Sequence, residues 1–185
     1  MKKIWTALAK YASFETAGLV CRPIRFEDRD AFYEMVSVPD NARFILPLVT
    51  SQEQSDELLV QAFMTRPLGI WGICQKPTDE LIGLIRLDRL DVNNGRAELG
   101  YLLKQSKWGQ GLMTEAVKTL TFTAFYEIRL KELIIVCDID NKASQRVAEK
   151  AGFRLIKRHR GSDRYTHQIR TYLTYQLTSG DYRYE

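Results

Sequence analysis

The chain has 185 residues, 45% hydrophobic and 27% charged, with a formal net charge of +4. These values fit one globular domain with enough chain to bury a sizeable core. No apolar run approaches the ~20 residues of a membrane span, so no membrane-spanning helix is expected. The mild charge gives no footprint for direct nucleic-acid binding.

The opening MKKIWTALAK places Ile4, Trp5, Leu8 and Tyr11 at helical spacing. It predicts a short docked helix within an N-terminal extension, residues 1–16, ahead of the rest of a single domain. Lys10 ends the apolar stretch short of the roughly 7–15 residues of a signal peptide's core, which gives the expectation of a cytoplasmic protein. Cys21, Cys74 and Cys137 are widely spaced in apolar segments, with no C-x-x-C. Buried reduced thiols are expected. His159 and His167 have no ligand cluster around them, so no metal site is expected.

GLVCRPIR (18–25) predicts a strand and FEDRDAFYEMVS (26–37) a helix. PDNARFILPLVT (39–50) reads as a loop, broken by Pro39 and Pro47. SQEQSDELLVQAFM (51–64) opens with a helix-start signal at Ser51. The period then becomes two: 68–75, 80–90 and 96–103 predict three strands joined by turn-rich connectors, an antiparallel meander.

LMTEAVKTLTFTAFYEIR carries one apolar stripe (Met113, Ala116, Val117, Leu120, Ala124, Phe125) and predicts a helix. ELIIVCD (132–138) predicts a buried central strand. In NKASQRVAEKAG, Asn141 is a natural N-cap and Gly152 a natural C-terminal stop. FRLIKR and RYTHQIRTYLTYQL predict two further strands around GSD, with Tyr165, His167, Ile169, Thr171, Leu173 and Tyr175 on one face. TSGDYRYE is a polar tail. KRHR (157–160) is the one dense basic run, on a strand leading into a turn, where a solvated edge is the plain reading and a nucleic-acid patch the alternative. The order β-α-α-β-β-β-α-β-α-β-β is that of a mixed α/β (α+β) domain: one mostly antiparallel central sheet with helices packed on it.

WGQG (108–111) sets two glycines at a helix start. They serve either a tight turn or a phosphate cradle, since a helix N-terminus offers free N–H groups. G-x-x-x-x-G-K-[ST] is not matched. G-x-G-x-x-G fails at Thr114, and the chain after Asp138 reads as one helix and a hairpin rather than further parallel βα units.

ELGYLL, WGQGLMTEA and LIIVCDIDNKASQRVAEKAGFRLI, in that order and spacing, resemble the GNAT superfamily of N-acetyltransferases, and more narrowly its RimJ/RimL-like, ribosomal-protein N-terminal acetyltransferase branch. The resemblance extends over about Gly18 to Leu177. One position departs from the superfamily's usual Q/R-x-x-G-x-G/A: Ser106 stands where Gln or Arg is common.

The resemblance implies a GNAT-like fold with helices on both faces of the sheet, acetyl-CoA as cosubstrate and no metal. Tyr101, Leu102 and Leu103 would present backbone groups to the pantetheine arm. Ser106, Lys107, Trp108, Gly109, Gln110, Gly111, Leu112, Met113 and Thr114 would hold the pyrophosphate. Lys104, Lys107, Arg146 and Lys150 could offset phosphate charge. Glu98 is the candidate general base, unless it only pairs with a neighbouring Arg. Asn141 would bond the pantetheine, and Ser144 would protonate the departing thiolate, unless they are only an N-cap and its N3 residue. Tyr101 and Tyr126 are alternative donors.

The acceptor implied first is a protein N-terminal α-amine, as on a ribosomal protein. A small amine (polyamine, antibiotic or amino acid) is the alternative, and a non-catalytic coenzyme A-binding regulatory module a third reading. A monomer or homodimer is expected. The acceptor side would draw on the first two helices, the loop Pro39–Val49 and the late hairpin; Phe44, Trp71 and Tyr33 either line it or pack in the core. Leu19–Met64 holds four Arg against eight Asp and Glu, which leans towards a cationic acceptor.

Overall fold

Ile4 and Leu8 are buried while Trp5 faces outward, so the amphipathic opening docks one side of a helix, α1 (Lys2–Lys10), against the core. The computed structural model describes residues 2–183, and the side chains of 3–183. Two short strands follow, β1 (Phe14–Glu15) and β2 (Leu19–Arg22). A 3₁₀ turn at Phe26–Asp28 leads into α2 (Arg29–Val36). Its start is locked by Asp28, whose carboxylate accepts the Arg25 N–H at 2.8 Å and both ends of the buried Arg22 guanidinium at 2.9 Å.

The segment read as a loop contains a single helical turn, α3 (Pro39–Ala42), with Pro39 in its first turn, where a missing N–H costs nothing. Helix α4 (Gln52–Leu59) opens at Ser51, whose hydroxyl accepts the Gln54 N–H at 3.2 Å, and ends in a π turn over Val60–Met64.

The meander forms as expected: β3 (Ile70–Gln75), β4 (Glu80–Asp91) and β5 (Arg96–Leu103). Helix α5 (Leu112–Phe122) continues into a π turn, Thr123–Glu127. Then come β6 (Glu132–Asp138), α6 (Lys142–Lys150) and the hairpin β7 (Arg154–Ser162) and β8 (Ile169–Thr178).

The hairpin differs from its sequence reading. Tyr165 and His167 lie in the turn, not on the face of β8. The Asp163 carboxylate accepts the N–H of Tyr165 at 3.0 Å and of Thr166 at 2.6 Å, an Asx-type turn. His167 takes φ +57°. Pairing therefore continues through Gly161 and Ser162 and starts again at Ile169.

The eight strands form one sheet in the order β1-β2-β3-β4-β5-β6-β8-β7. Alternate residues feed opposite cores. Ile73, Ile85 and Leu103 pack with α1, α5 and α6. Cys74, Leu84 and Leu102 pack with Phe32, Met35, Leu59 and Phe63 of α2, α4 and the π turn. Each large aliphatic fully buried this way contributes about 1.5–3 kcal/mol.

All neighbouring strands are antiparallel except β5 and β6, which are parallel and pair only at Arg96–Glu132, Ala97–Leu133 and Glu98–Ile134. Beyond Glu98 the two strands diverge. β5 still pairs with β4 through Leu103, and β6 with β8 through Asp138. The result is a wedge-shaped gap in the middle of the sheet.

Candidate active site

The wedge exposes backbone. The Lys104 N–H reaches the Ile82 carbonyl at 2.7 Å, on the β4 side. The Leu103 carbonyl instead accepts the Trp108 indole N–H at 2.8 Å. The last β5–β6 bridge takes the Leu99 N–H, and strand alternation then turns the Leu99 carbonyl and the Tyr101 peptide groups into the gap. Main-chain donors and acceptors left this way need a partner, and an extended amide-bearing ligand arm can supply one.

The loop after β5 closes one end of the gap. A 3₁₀ turn, Gln105–Lys107, leads to Gly109 and Gly111, at φ +75° and +78°. This left-handed backbone is costly for any residue with a Cβ. A Cβ built on either glycine would meet nothing within 4 Å, so these glycines border open space rather than a packed turn. Gly111 is the N-cap of α5, and no side chain caps that helix. The free N–H groups of its first turn are suited to an anion.

These residues line a cavity of about 500 Å³ with Tyr101, Leu102, Leu103, Lys107, Trp108, Leu112, Met113, Thr114, Asn141 and Ser144. Lys107, Arg146 and Lys150 border it as the sequence suggests, and Arg43 and Lys142 add to the positive rim. Three expected residues stand apart. Gln110 donates its amide to the Ser106 carbonyl at 3.3 Å, so the two brace the loop from behind. Lys104 is turned to Glu34 and Glu80.

The far end of this cavity meets a second one, of about 250 Å³, lined by Glu98, Arg86, Arg89, Asp138, His159, Arg164, Tyr165 and Tyr172 among others. Phe44, Ile45, Tyr101, Asn141 and Ser144 border both. At this junction the Asn141 side chain accepts the Ser144 N–H at 3.1 Å, so Asn141 is indeed an N-cap and Ser144 its N3 residue. Yet Ser144 is buried, with its hydroxyl 2.9 Å from that of Tyr101. Burial raises the Tyr101 phenol well above its usual range, so it stays protonated. The neighbouring Cys137 thiol is pushed up to about 11 by burial and stays a thiol.

Glu98 sits on the wall of the second cavity, on the opposite face of β5 from Tyr101. Its side chain is 17% exposed, and Arg89 Nη1 lies 3.2 Å from Oε2. That approach is not aligned as a hydrogen bond, and Oε2 has no hydrogen-bond partner. Burial raises the Glu98 pKa, and Asp88 adds to the shift against the opposing pull of Arg89. A carboxylate poised in this way is suited to accept a proton.

Other expectations are corrected. Tyr126 lies in the π turn after α5, packed against Phe122 and Tyr182, and borders neither cavity. Trp71 is fully buried and donates to the Tyr11 carbonyl at 3.1 Å. Tyr33 packs on the second core, while Phe44 does line the site. Three of the eight acids of Leu19–Met64 are held in ion pairs, Asp28 by Arg22, Asp56 by Arg29 and Glu34 by Lys104. The second cavity carries both signs. Sequence reasoning missed Arg89; it placed the segments that carry Ile45, Arg164 and Tyr165 on the acceptor side without singling out those residues. The Tyr165 hydroxyl donates to the Ile45 carbonyl at 2.9 Å, tying the hairpin turn to the segment after α3. The Asp163 turn chemistry was the available signal for that turn.

A backbone-lined wedge ending in a helix N-terminus fits a long ligand with an anionic end. The junction beyond it fits transfer of a group to a molecule in the second cavity. The model of the acetyltransferase (GNAT) domain family matches residues 19–154. The chain belongs to the GNAT acetyltransferases. These acyltransferases use acetyl-CoA, and the open glycine cradle and positive rim fit that cosubstrate.

The chain is 32% identical over 143 residues to the uncharacterized N-acetyltransferase YoaA of Bacillus subtilis, covering 75% of this chain and 81% of that one. It is 39% identical over 75 residues to the ribosomal-protein-serine acetyltransferase of Escherichia coli, covering 40% of this chain and 42% of that one. Its fold matches the solved structure of RimL, a ribosomal L7/L12 α-N-protein acetyltransferase in complex with coenzyme A. The TM-score is 0.72 and the identity 21%, over 88% of this chain and 95% of that one. Among the described residues no helix is long and apolar enough to cross a membrane, and no group of three or more His, Cys, Asp or Glu is placed to hold a metal ion.

Proposed function

We propose that this GNAT enzyme acetylates the N-terminal α-amine of a polypeptide, with a ribosomal protein as the leading candidate and the cytoplasm as its place of work. The observation that carries this reading is the meeting of two cavities at Tyr101 and Ser144, with Glu98 on the acceptor side. In this reading the thioester lies along Leu99–Leu103, and the pyrophosphate on the loop from Lys107 to Thr114. Asn141 and Ser144 flank the sulfur.

A free α-amine has a pKa of about 7.7–8.0, against ~10.4 for lysine, so one half-buried carboxylate is enough to take its proton near neutral pH. The amine nitrogen attacks the acetyl carbon, and the C–S bond breaks. Glu98, directly or through one water, receives the proton from nitrogen. The Ser144 hydroxyl gives one to the thiolate, and the proton taken up by Glu98 returns to Ser144 through solvent as the products leave. The names of the relatives support a polypeptide acceptor.

Incubation with acetyl-CoA and a panel of peptides and small amines, followed by thiol release, tests this. Peptides with free N-termini are expected to be the best acceptors, and blocking the α-amine should abolish release. Faster turnover of a polyamine, amino acid or antibiotic would replace the acceptor. Thermal stabilisation by coenzyme A without release from any acceptor would leave a binding module.

A further inference from the structure

The last strand of the sheet, β7, is open along its outer edge. It is nine residues long, mostly exposed and without an acidic residue. Its Arg154, Lys157, Arg158 and Arg160, and Arg164 in the turn beyond, hold no carboxylate among the described residues. Elsewhere Arg22, Arg25, Arg29, Arg86, Arg89, Arg96 and Arg170 each meet one, while Arg43, Arg66, Arg129 and Arg146 meet none among the described residues but lie scattered, so the dense run of unpaired cations is particular to this hairpin.

Cations on an edge strand can serve only to keep other strands away. A solvated guard does not account for the aliphatics here. Leu155, Ile156 and Ile169 are 54%, 52% and 61% exposed along the same hairpin. Unpaired cations beside exposed aliphatics and an open main-chain edge are the ingredients of strand addition by an oppositely charged chain.

Position adds a direction. His159, Gly161, Ser162, Asp163 and Arg164 line the second cavity, so the C-terminal end of β7 runs into the acceptor side. A chain laid antiparallel to β7 therefore brings its amino terminus to that cavity. At ~3.3 Å per residue, Lys157 to Ser162 spans roughly six residues of such a chain.

We propose that the free edge of β7 docks an acidic segment of the acceptor polypeptide, antiparallel to the strand, placing acidic residues at roughly positions four to nine of the acceptor against Lys157, Arg158 and Arg160. This rests on the N-terminal acetyltransferase reading above and adds the acceptor's charge and direction. It also runs against the cationic preference that the acidic segment Leu19–Met64 suggests, because the docking edge is β7, which carries cations and no acid.

The test uses three nine-residue peptides with the same first three residues and an acidic, neutral or basic remainder. The acidic peptide should give a kcat/KM at least about tenfold above the basic one at low salt, with the gap shrinking in high salt. The K157E/R158E/R160E variant should invert that order, with its rate on a dipeptide and its thermal stabilisation by coenzyme A unchanged. Equal kcat/KM for the three peptides, or a ranking untouched in the triple variant, would overturn the docking. If no peptide is acetylated while a small amine is, the N-terminal reading itself fails and the docking goes with it. Should the variant misfold, seen as loss of the coenzyme A shift, the ranking by the unmodified protein and its salt dependence still decide.

Discussion

The Tyr101 hydroxyl stands 2.9 Å from the Ser144 hydroxyl and 3.3 Å from the Ser144 carbonyl oxygen, which ties β5 to α6 across the gap in the sheet. Serine alone is a weak proton donor. A protonated, buried phenol beside it fixes where its hydroxyl points. Ser144→Ala should lower kcat by about 10²-fold, the low end for a general acid, and Tyr101→Phe by roughly tenfold, with KM for acetyl-CoA within about threefold in both. The double variant should be no worse than Ser144→Ala, because groups acting as one unit are not additive. Steady-state thiol release measures all three; additive losses would separate the two hydroxyls.

Glu98 links activity to stability with opposite signs. Its folded-state pKa is raised, chiefly by burial, so the native state holds its proton to higher pH than the unfolded chain does. The stability from this group is full below the unfolded carboxylate pKa and is lost as pH rises through the folded one. At neutral pH the charged form is thus a burden that Glu98→Gln removes. The variant should melt at the same or a higher temperature yet turn over at least about tenfold more slowly. In the unmodified enzyme the acid limb of kcat/KM should lie above the ordinary glutamate range. Thermal melts and a pH–rate profile check both; a variant with unmodified rates would remove Glu98 as the base.

Gly109 takes φ +75° with open space where a Cβ would go. Gly109→Val should cost about 1–2 kcal/mol of backbone strain and put a branched side chain into the cradle. Coenzyme A affinity by calorimetry should fall at least tenfold, while circular dichroism stays native-like. Unchanged affinity would return these glycines to a turn-making role.

Arg22 and Asp28 are a buried ion pair, 9% and 8% exposed, and Arg22 also meets Asp79 at 2.9 Å. Breaking a buried pair by removing one partner costs about 3–5 kcal/mol. Asp79 still offers Arg22 a carboxylate, so Asp28→Ala should fall near 3 kcal/mol, read as a lower urea midpoint. A loss below about 1 kcal/mol would show that Asp79 compensates fully.

Features that live on one element were legible in the sequence. The stripe of α5, the three-strand meander and the N-cap at Asn141 are local patterns that their own residues dictate. The WGQG loop and the Ser of α6 could be marked because motif order survives in the chain. Long-range features left no such trace. Nothing in ELGYLL says that pairing with β6 stops at Glu98, since that depends on where a strand over thirty residues later diverges. Tyr101 and Ser144 lie 43 residues apart, and neither position alone implies the other. The acids of Leu19–Met64 look like a charged groove until Arg22, Arg29 and Lys104 are seen to absorb several of them. Tyr165 fits the alternation of β8 until the Asp163 turn claims it.

The three residue pairs between β5 and β6 are a seam between two blades, β1 to β5 on one side and β6, β8 and β7 on the other. On the proposed function, a cosubstrate lying beyond Glu98 would complete the hydrogen bonding where a strand is missing and so close the seam. The amide hydrogen of Tyr101 would then report occupancy. It should exchange with solvent quickly in the free protein and slowly once the gap is filled, while the Leu99 amide, held by the last β5–β6 bridge, and those of the β4–β5 ladder stay protected throughout.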